Sequence, residues 1–106
     1  MSTEQNTSRH QQSLQIAPDH PVFAGHFPDA PVVPAVLVLA QVLDAAEHWL
    51  GAPVHPLRLR QAKFPAPWLP GMAVRTTLER EGQQLRFQVT AEDRTLAVGV
   101  FELECN

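Results

Sequence analysis

The chain has 106 residues, enough for one domain with a single core, and a formal net charge of −3 from eight basic and eleven acidic side chains. It contains no basic run and no apolar run of membrane-spanning length, so we expect neither a nucleic-acid nor a membrane partner. A single cysteine, Cys105, excludes an internal disulfide and a cysteine-based zinc site, and it indicates a reducing, cytoplasmic location.

The first part of the chain is polar and then rich in proline. Residues 1–12 carry Ser, Thr and Gln without periodicity, which predicts a disordered or weakly ordered tail ahead of a single domain over residues 13–106. Alternation of Leu14 and Ile16 predicts one short strand at residues 13–17. Five prolines then punctuate residues 18–34 and predict an extended loop with stiff joints, which would hold His26 in one place.

One helix is predicted between Pro34 and Gly51. Proline suits the first helical position, and glycine is favoured just past a helix C-terminus. Apolar residues cover most of the circumference, which predicts a helix buried on several sides. A polar arc with Ala40 inside it interrupts them, and its members are Gln41, Asp44, Glu47 and His48.

Four strands are predicted after the helix. The apolar positions of residues 57–64 change phase, which predicts a bulge near Gln61. Pro70-Gly71 and Glu81-Gly82 predict turns, and alternating or continuous apolar positions predict strands at residues 72–80, 84–91 and 95–103, the last of them an interior strand. The order predicts an α+β fold in which an antiparallel sheet carries one helix.

The loop and the start of the helix carry a recognisable motif. HPVFAGHFPDAPVVPAVLVL resembles the signature of 3-hydroxyacyl-acyl-carrier-protein dehydratases, and the matching residues are Phe23, Gly25, His26, Phe27, Pro28, Pro31, Pro34, Val36 and Leu37. Lys63-Phe64 and Pro70-Gly71 resemble later parts of the same signature, so the resemblance covers roughly residues 14–103. The short length is similar to that of the dehydratases encoded with aryl-polyene pigment pathways.

The resemblance implies a hotdog fold, in which an antiparallel sheet wraps around one long helix, and a dimer or higher oligomer with active sites between subunits. It implies removal of water from a 3-hydroxyacyl thioester on acyl carrier protein or coenzyme A, without cofactor or metal. His26 matches the catalytic histidine that takes the C2 proton. The residues expected to bind substrate are Gly25, Phe27, Pro34, Ala35, Val36, Ala40 and Gln41.

Two positions depart from the family pattern. The catalytic acid of the family lies fourteen residues after the histidine, where this chain has Ala40, and Ala35 replaces the glycine at the helix start. Asp44 follows Ala40 one helical turn later, shifted by about 6 Å along the helix axis. It could act as a substitute acid, or it could be a surface residue that is solvated or paired with His48. Gln41 could orient a hydroxyl group but could not donate a full proton. A third source of the acid is a different subunit.

Three functions remain open. The chain could be a dehydratase impaired by the loss of the acid, with a homodimeric or higher assembly. It could be a non-catalytic hotdog subunit that binds acyl thioesters or completes a heterodimer with an acid-bearing paralogue. It could also be an acyl thioesterase, although Ala40 again offers no carboxylate to activate water. The histidines lack the mutual spacing of a metal site, so no metal is expected.

Overall fold

The computed structural model describes residues 7–16 and 33–104. These ranges contain one helix and five strands: β1 (Thr7–Gln15), α1 (Ala35–Leu50), β2 (Pro56–Lys63), β3 (Ala73–Glu81), β4 (Gln84–Ala91) and β5 (Arg94–Leu103). All strand pairs are antiparallel, and the sheet order is β1-β3-β4-β5-β2. The predicted α+β arrangement is confirmed, and β5 is an interior strand as expected.

Both ends of α1 follow from single residues. Pro34 is the N-cap, with φ −62° and ψ 149°, and its carbonyl oxygen accepts the N–H groups of Leu37 and Val38 at 3.0 Å. Gly51 ends the helix at φ 70°, a left-handed conformation in which its N–H donates to the Glu47 carbonyl at 2.9 Å. The helix therefore begins at Ala35, one residue later than predicted. Within the described part of the chain, no helix is long and apolar enough to cross a membrane.

The core lies between α1 and one face of the sheet. Along β3 and β4, buried and more exposed residues alternate, so that one face of the sheet carries the buried side chains. The helix contributes its own buried stripe to the same apolar cluster. The members from these three elements are Val38, Val42, Ala45, Ala46, Val74, Leu78, Leu85, Phe87 and Val89.

Strand β1 is longer than the sequence indicated. It pairs with β3 over nine residues, from Thr7 opposite Glu81 to Gln15 opposite Ala73. The prediction of a tail is therefore wrong for residues 7–12, while residues 1–6 lie outside the described ranges. The sequence did not reveal this part of the strand because β1 is an edge strand with mostly exposed polar side chains. Such a strand lacks the apolar alternation from which a strand is predicted.

The predicted bulge in β2 is confirmed. The register between β2 and β5 shifts between Leu59 and Gln61 and again between Pro56 and Arg58. Gly99 of β5 makes this geometry possible. A Cβ atom at Gly99 would overlap the Gln61 carbonyl oxygen and lie 2.6 Å from Cζ of Phe87.

Candidate functional site

An apolar cavity of about 310 Å³ lies beside the N-terminus of α1. Its walls come from the start of the helix, from the connection between β2 and β3, and from β5. The lining residues are Val33, Ala35, Val38, Phe64, Pro65, Ala66, Pro67, Trp68, Leu96 and Ala97. Of the lining residues, Phe64 is 42% exposed and Trp68 only 3%. The cavity therefore extends from solvent toward a buried indole. An apolar chain of moderate length is the ligand chemistry that suits such a lining.

Trp68 is held in place by two hydrogen bonds. Its indole Nε1–H donates to the Met72 carbonyl at 3.0 Å, and its own carbonyl accepts the N–H of Val33 at 2.8 Å. Pro65 and Pro67 restrict the backbone on its N-terminal side. The buried wall of the cavity is therefore rigid, and it is tied directly to the residue that precedes the helix N-cap.

The helix N-terminus gives the cavity a positive edge. Pro34 makes no side-chain cap, and the first turn contains no acidic residue. The N–H groups of Ala35 and Val36 have no partner among the described residues, because the first N–H groups of a helix lack intrahelical acceptors. Together with the helix dipole, these donors favour an oxygen atom that carries negative charge.

The predicted site residues are only partly brought together. Gly25, His26 and Phe27 lie outside the described residues. Pro34 caps the helix and Ala35 lines the cavity. Val36 is adjacent to Ala35 in the chain but is 79% exposed, away from the core.

Farther along α1, the remaining candidates do not line the cavity. Ala40 and Asp44 are exposed and Gln41 is half-buried. Ala40 and Asp44 share a face with Val36, since the three are spaced four residues apart. Asp44 forms no ion pair with His48 in the described part of the chain. No described carboxylate therefore lies at the cavity.

Sequence reasoning missed most of the cavity lining. Trp68 is a buried member of the core, and the structure shows that it is also a wall of the cavity. The signal was the aromatic residues that bracket prolines in FPAPWLPG, the connection after β2. The described residues contain no group of three or more side chains that could hold a metal ion.

A second feature is the exposure of large apolar side chains on α1 and on β2. Val36 on α1 is 79% exposed and Leu57 on β2 is 62% exposed. Strand β2 is at an edge of the sheet, and seven of its eight residues are exposed. Among the described residues, the helix is thus buried on one side and not on several as predicted.

Comparison with known proteins agrees with the sequence signature. A family model described as ApeI-like, ApeI dehydratase, matches residues 2–100. The 3-hydroxyacyl-acyl-carrier-protein dehydratase FabZ of Chlamydia trachomatis serovar L2 is 34% identical over 80 residues, covering 67% of this chain and 52% of FabZ. FabZ of Chlamydia muridarum is 32% identical with the same coverage. The chain therefore spans about half the length of the curated relatives it matches.

Solved structures share the fold over nearly the whole chain. An uncharacterized protein from Erwinia carotovora subsp. atroseptica aligns with TM-score 0.82 and 30% identity, covering 97% of this chain and 88% of that one. The dehydratase heterocomplex ApeI:P from Xenorhabdus doucetiae aligns with TM-score 0.76 and 24% identity, covering 99% and 93%. A mutant of the fluoroacetyl-CoA-specific thioesterase FlK aligns with TM-score 0.62 and 18% identity, covering 97% and 88%. The last two likenesses concern the fold alone, and together the three confirm the predicted hotdog fold.

Proposed function

Because the chain belongs to the ApeI-like dehydratase family, we propose that it takes part in removing water from 3-hydroxyacyl thioesters carried on acyl carrier protein or coenzyme A. The observation that carries the proposal is the apolar cavity beside the open N-terminus of α1. The cavity suits the acyl chain, and the helix N-terminus suits the thioester carbonyl. We place the reaction in fatty-acid or polyene type synthesis and, from the single cysteine, in the cytoplasm.

The reaction needs a base and an acid at neighbouring carbons. A base takes the C2 proton, the electron pair forms the C2–C3 double bond, and the hydroxyl at C3 leaves as water after it receives a proton. During this step the carbonyl oxygen gains negative charge. His26 is the proposed base, and the N–H groups of Ala35 and Val36 are the proposed donors to that oxygen.

The chain does not provide the acid at its usual position. Ala40 has no proton to give, and Asp44 is one helical turn, or about 6 Å, farther along the axis. A displacement of that size is too long for direct proton transfer to the substrate hydroxyl, because the two groups must lie within hydrogen-bond distance. We therefore propose that the acid comes from a second hotdog chain, so that the working unit is a heterodimer. The relative ApeI:P is itself a dehydratase heterocomplex.

A second candidate is a subunit that binds acyl thioesters without catalysing their dehydration. Ala40 favours it, because a site with no acid in either chain would hold substrate without turning it over. Thioesterase activity has support only from a fold likeness at 18% identity. It would be recognised by release of free thiol, whereas dehydration leaves the thioester intact.

The test is an assay on a 3-hydroxyacyl thioester with the purified chain and its Ala40→Glu variant. We expect little turnover from the chain alone and a gain of about 100-fold or more once the acid is restored. His26→Ala in the Ala40→Glu background should abolish that gain. Asp44→Asn in the same background is the matched control, and it should leave the gain unchanged.

Each alternative predicts a different result. Turnover by the unmodified chain that Asp44→Asn removes would assign the acid role to Asp44 and contradict the need for a second chain. Binding of the thioester without turnover, even after Ala40→Glu, would favour the non-catalytic subunit. Activity that persists after His26→Ala would contradict the proposed base.

A further inference from the structure

A second cavity, of about 670 Å³, adjoins the apolar cavity of about 310 Å³ beside α1. We call the second one the turn cavity, because it lies at the turn between β4 and β5, and the first one the acyl cavity. Met72, Ala73 and Ala91 line the turn cavity together with the charged and exposed residues 92–94. Leu96 is the one residue that lines both cavities. Its side chain is therefore a wall between them.

Leu96 faces the cavities because of a bulge in β5. The ladder between β4 and β5 pairs Thr90 with Thr95 and then Val89 with Ala97, so Leu96 is an extra residue without a partner. From Ala97 onward, β5 buries every second residue, but Leu96 is buried as well and only 2% exposed. Neighbouring residues of a regular strand point to opposite faces of the sheet. A bulge re-aims a side chain, and here it places two consecutive side chains on the buried side.

The two cavities are separated by Leu96 and by one hydrogen-bonded pair. The pair consists of Trp68, which lines the acyl cavity, and Met72, whose carbonyl oxygen accepts the indole N–H at 3.0 Å. The side chain of Leu96 has only apolar contacts to offer. A shorter side chain at this position would therefore open the wall without breaking a hydrogen bond.

We propose that Leu96 is a specificity-determining residue that excludes long acyl chains by closing the acyl cavity against the turn cavity. This inference rests on the proposed function, which places an acyl thioester in the acyl cavity. It adds the residue that sets the limit and the space that lies beyond it. The distal methylenes of an acyl chain suit that space, because its lining beside Leu96 is apolar and its charged residues belong to the exposed turn.

Leu96 and Trp68 should limit the acyl chain to different extents. Trp68 lines the acyl cavity alone, so a smaller side chain there enlarges one cavity. A smaller side chain at position 96 joins two cavities, and the larger of them lies at the surface. The gain in chain length from a substitution of Leu96 should therefore extend over more carbon atoms.

The experiment compares the unmodified chain with Leu96→Ala by isothermal titration. The ligands are non-hydrolysable thioester analogues whose acyl chains lengthen in even steps. For the unmodified chain, affinity should rise with length and then stop rising. Each buried methylene contributes about fourfold in affinity, so an acyl chain about four carbons beyond that limit should bind Leu96→Ala at least about tenfold more tightly than the unmodified chain. Such a chain adds more carbon than the substitution removes, so its end has to enter the turn cavity.

A second substitution tests where the end of the chain lies. Ala91 is half-buried in the lining of the turn cavity, and Ala91→Leu reduces the space there. Added to Leu96→Ala, it should cancel the gain for the long chain. A gain that persists in the double variant would show that the chain does not enter the turn cavity, and would overturn the proposal.

The matched control is Leu103→Ala. Leu103 is a buried leucine of the same strand, 4% exposed, and it lines neither cavity. This variant should leave the length limit unchanged. An equal gain in Leu103→Ala would show that a general loosening of the core, and not an opened wall, admits the longer chain, and would overturn the proposal.

The remaining outcomes separate this inference from the proposed function. If Leu96→Ala does not fold, Leu96→Val should still raise the length limit by a smaller step. Binding by the unmodified chain with the same limit in the Leu96 variants, or with no limit at all, would overturn the inference and not the proposed function. Absence of binding at every chain length would overturn both.

Discussion

The N–H of Val33 donates to the carbonyl oxygen of Trp68 at 2.8 Å, joining the residue before the helix N-cap to the wall of the cavity. The indole of Trp68 is fixed in turn by its bond to the Met72 carbonyl. The helix N-terminus and the buried end of the cavity are therefore held at a constant separation. If the thioester carbonyl binds at the helix, that separation limits the length of the acyl chain.

Trp68→Leu should lengthen the cavity and shift binding toward longer acyl chains. Each additional buried methylene contributes about 0.8 kcal/mol, so a chain longer by about two carbons should bind about tenfold more tightly to the variant. Isothermal titration with a series of non-hydrolysable acyl thioester analogues would measure the change. Trp49→Leu, which removes the other indole at a position outside the cavity, is the control. An unchanged length profile in Trp68→Leu would contradict the assigned limit.

Local signals in the sequence predicted the helix and the hairpin strands well. Pro34 and Gly51 act on the backbone through their own covalent geometry. The ends of α1 can therefore be predicted without knowing which residues pack against the helix. The phase change before Gln61 likewise revealed the bulge in β2. Strand β1 was missed from Thr7 onward because its pairing with β3 depends on distant residues.

The candidate site was less accessible to sequence reasoning. Its lining comes from three separate segments, and only the fold brings Trp68 to Val33 and Ala35. The exposure of Val36 was also unexpected. An apolar helix surface predicts that the side chain is buried, but it does not show whether the sheet of the same chain or another chain buries it. The motif around His26 predicted the chemistry, and it falls outside the described residues.

Gly99 should not tolerate a side chain. Alanine there would place its Cβ against the Gln61 carbonyl oxygen and 2.6 Å from Cζ of Phe87. Because a backbone atom in the β2 bulge and a buried ring would both have to move, Gly99→Ala should lower the free energy of unfolding by about 3 kcal/mol. Urea denaturation followed by circular dichroism would measure it.

Gly82→Ala is the control for the Gly99 prediction. Gly82 has φ 58° and no atom within 4 Å of the added Cβ, so the substitution carries only the strain of a left-handed backbone, about 1 kcal/mol. Equal losses for the two variants would show that close contact at the bulge is not what requires Gly99.

Thr76→Val should stabilise the protein. Thr76 is completely buried, and its hydroxyl has no hydrogen-bond partner among the described residues. An unsatisfied buried hydroxyl is unfavourable, so its replacement by a methyl group should raise the free energy of unfolding by about 1 kcal/mol. The neighbouring Thr77 accepts a bond from Gln11 Nε2 at 3.2 Å, and Thr77→Val should bring no such gain. A loss of stability in Thr76→Val would indicate that the hydroxyl is satisfied.

His10 and Trp49 should be energetically coupled across the junction of β1 and α1. Their rings stack with centroids 5.4 Å apart and planes inclined by 12°, and His10 Nε2 lies 3.0 Å from the side-chain oxygen of Gln12. A double-mutant cycle with His10→Ala and Trp49→Leu should give a coupling of about 1 kcal/mol in the free energy of unfolding. Gln11 lies one residue along β1, and its side chain bonds Thr77 instead. A cycle between Gln11→Ala and Trp49→Leu should therefore give a coupling near zero. Similar values in both cycles would mean that the stacked pair does not hold β1 against the helix, and that the strand depends on its ladder with β3 alone.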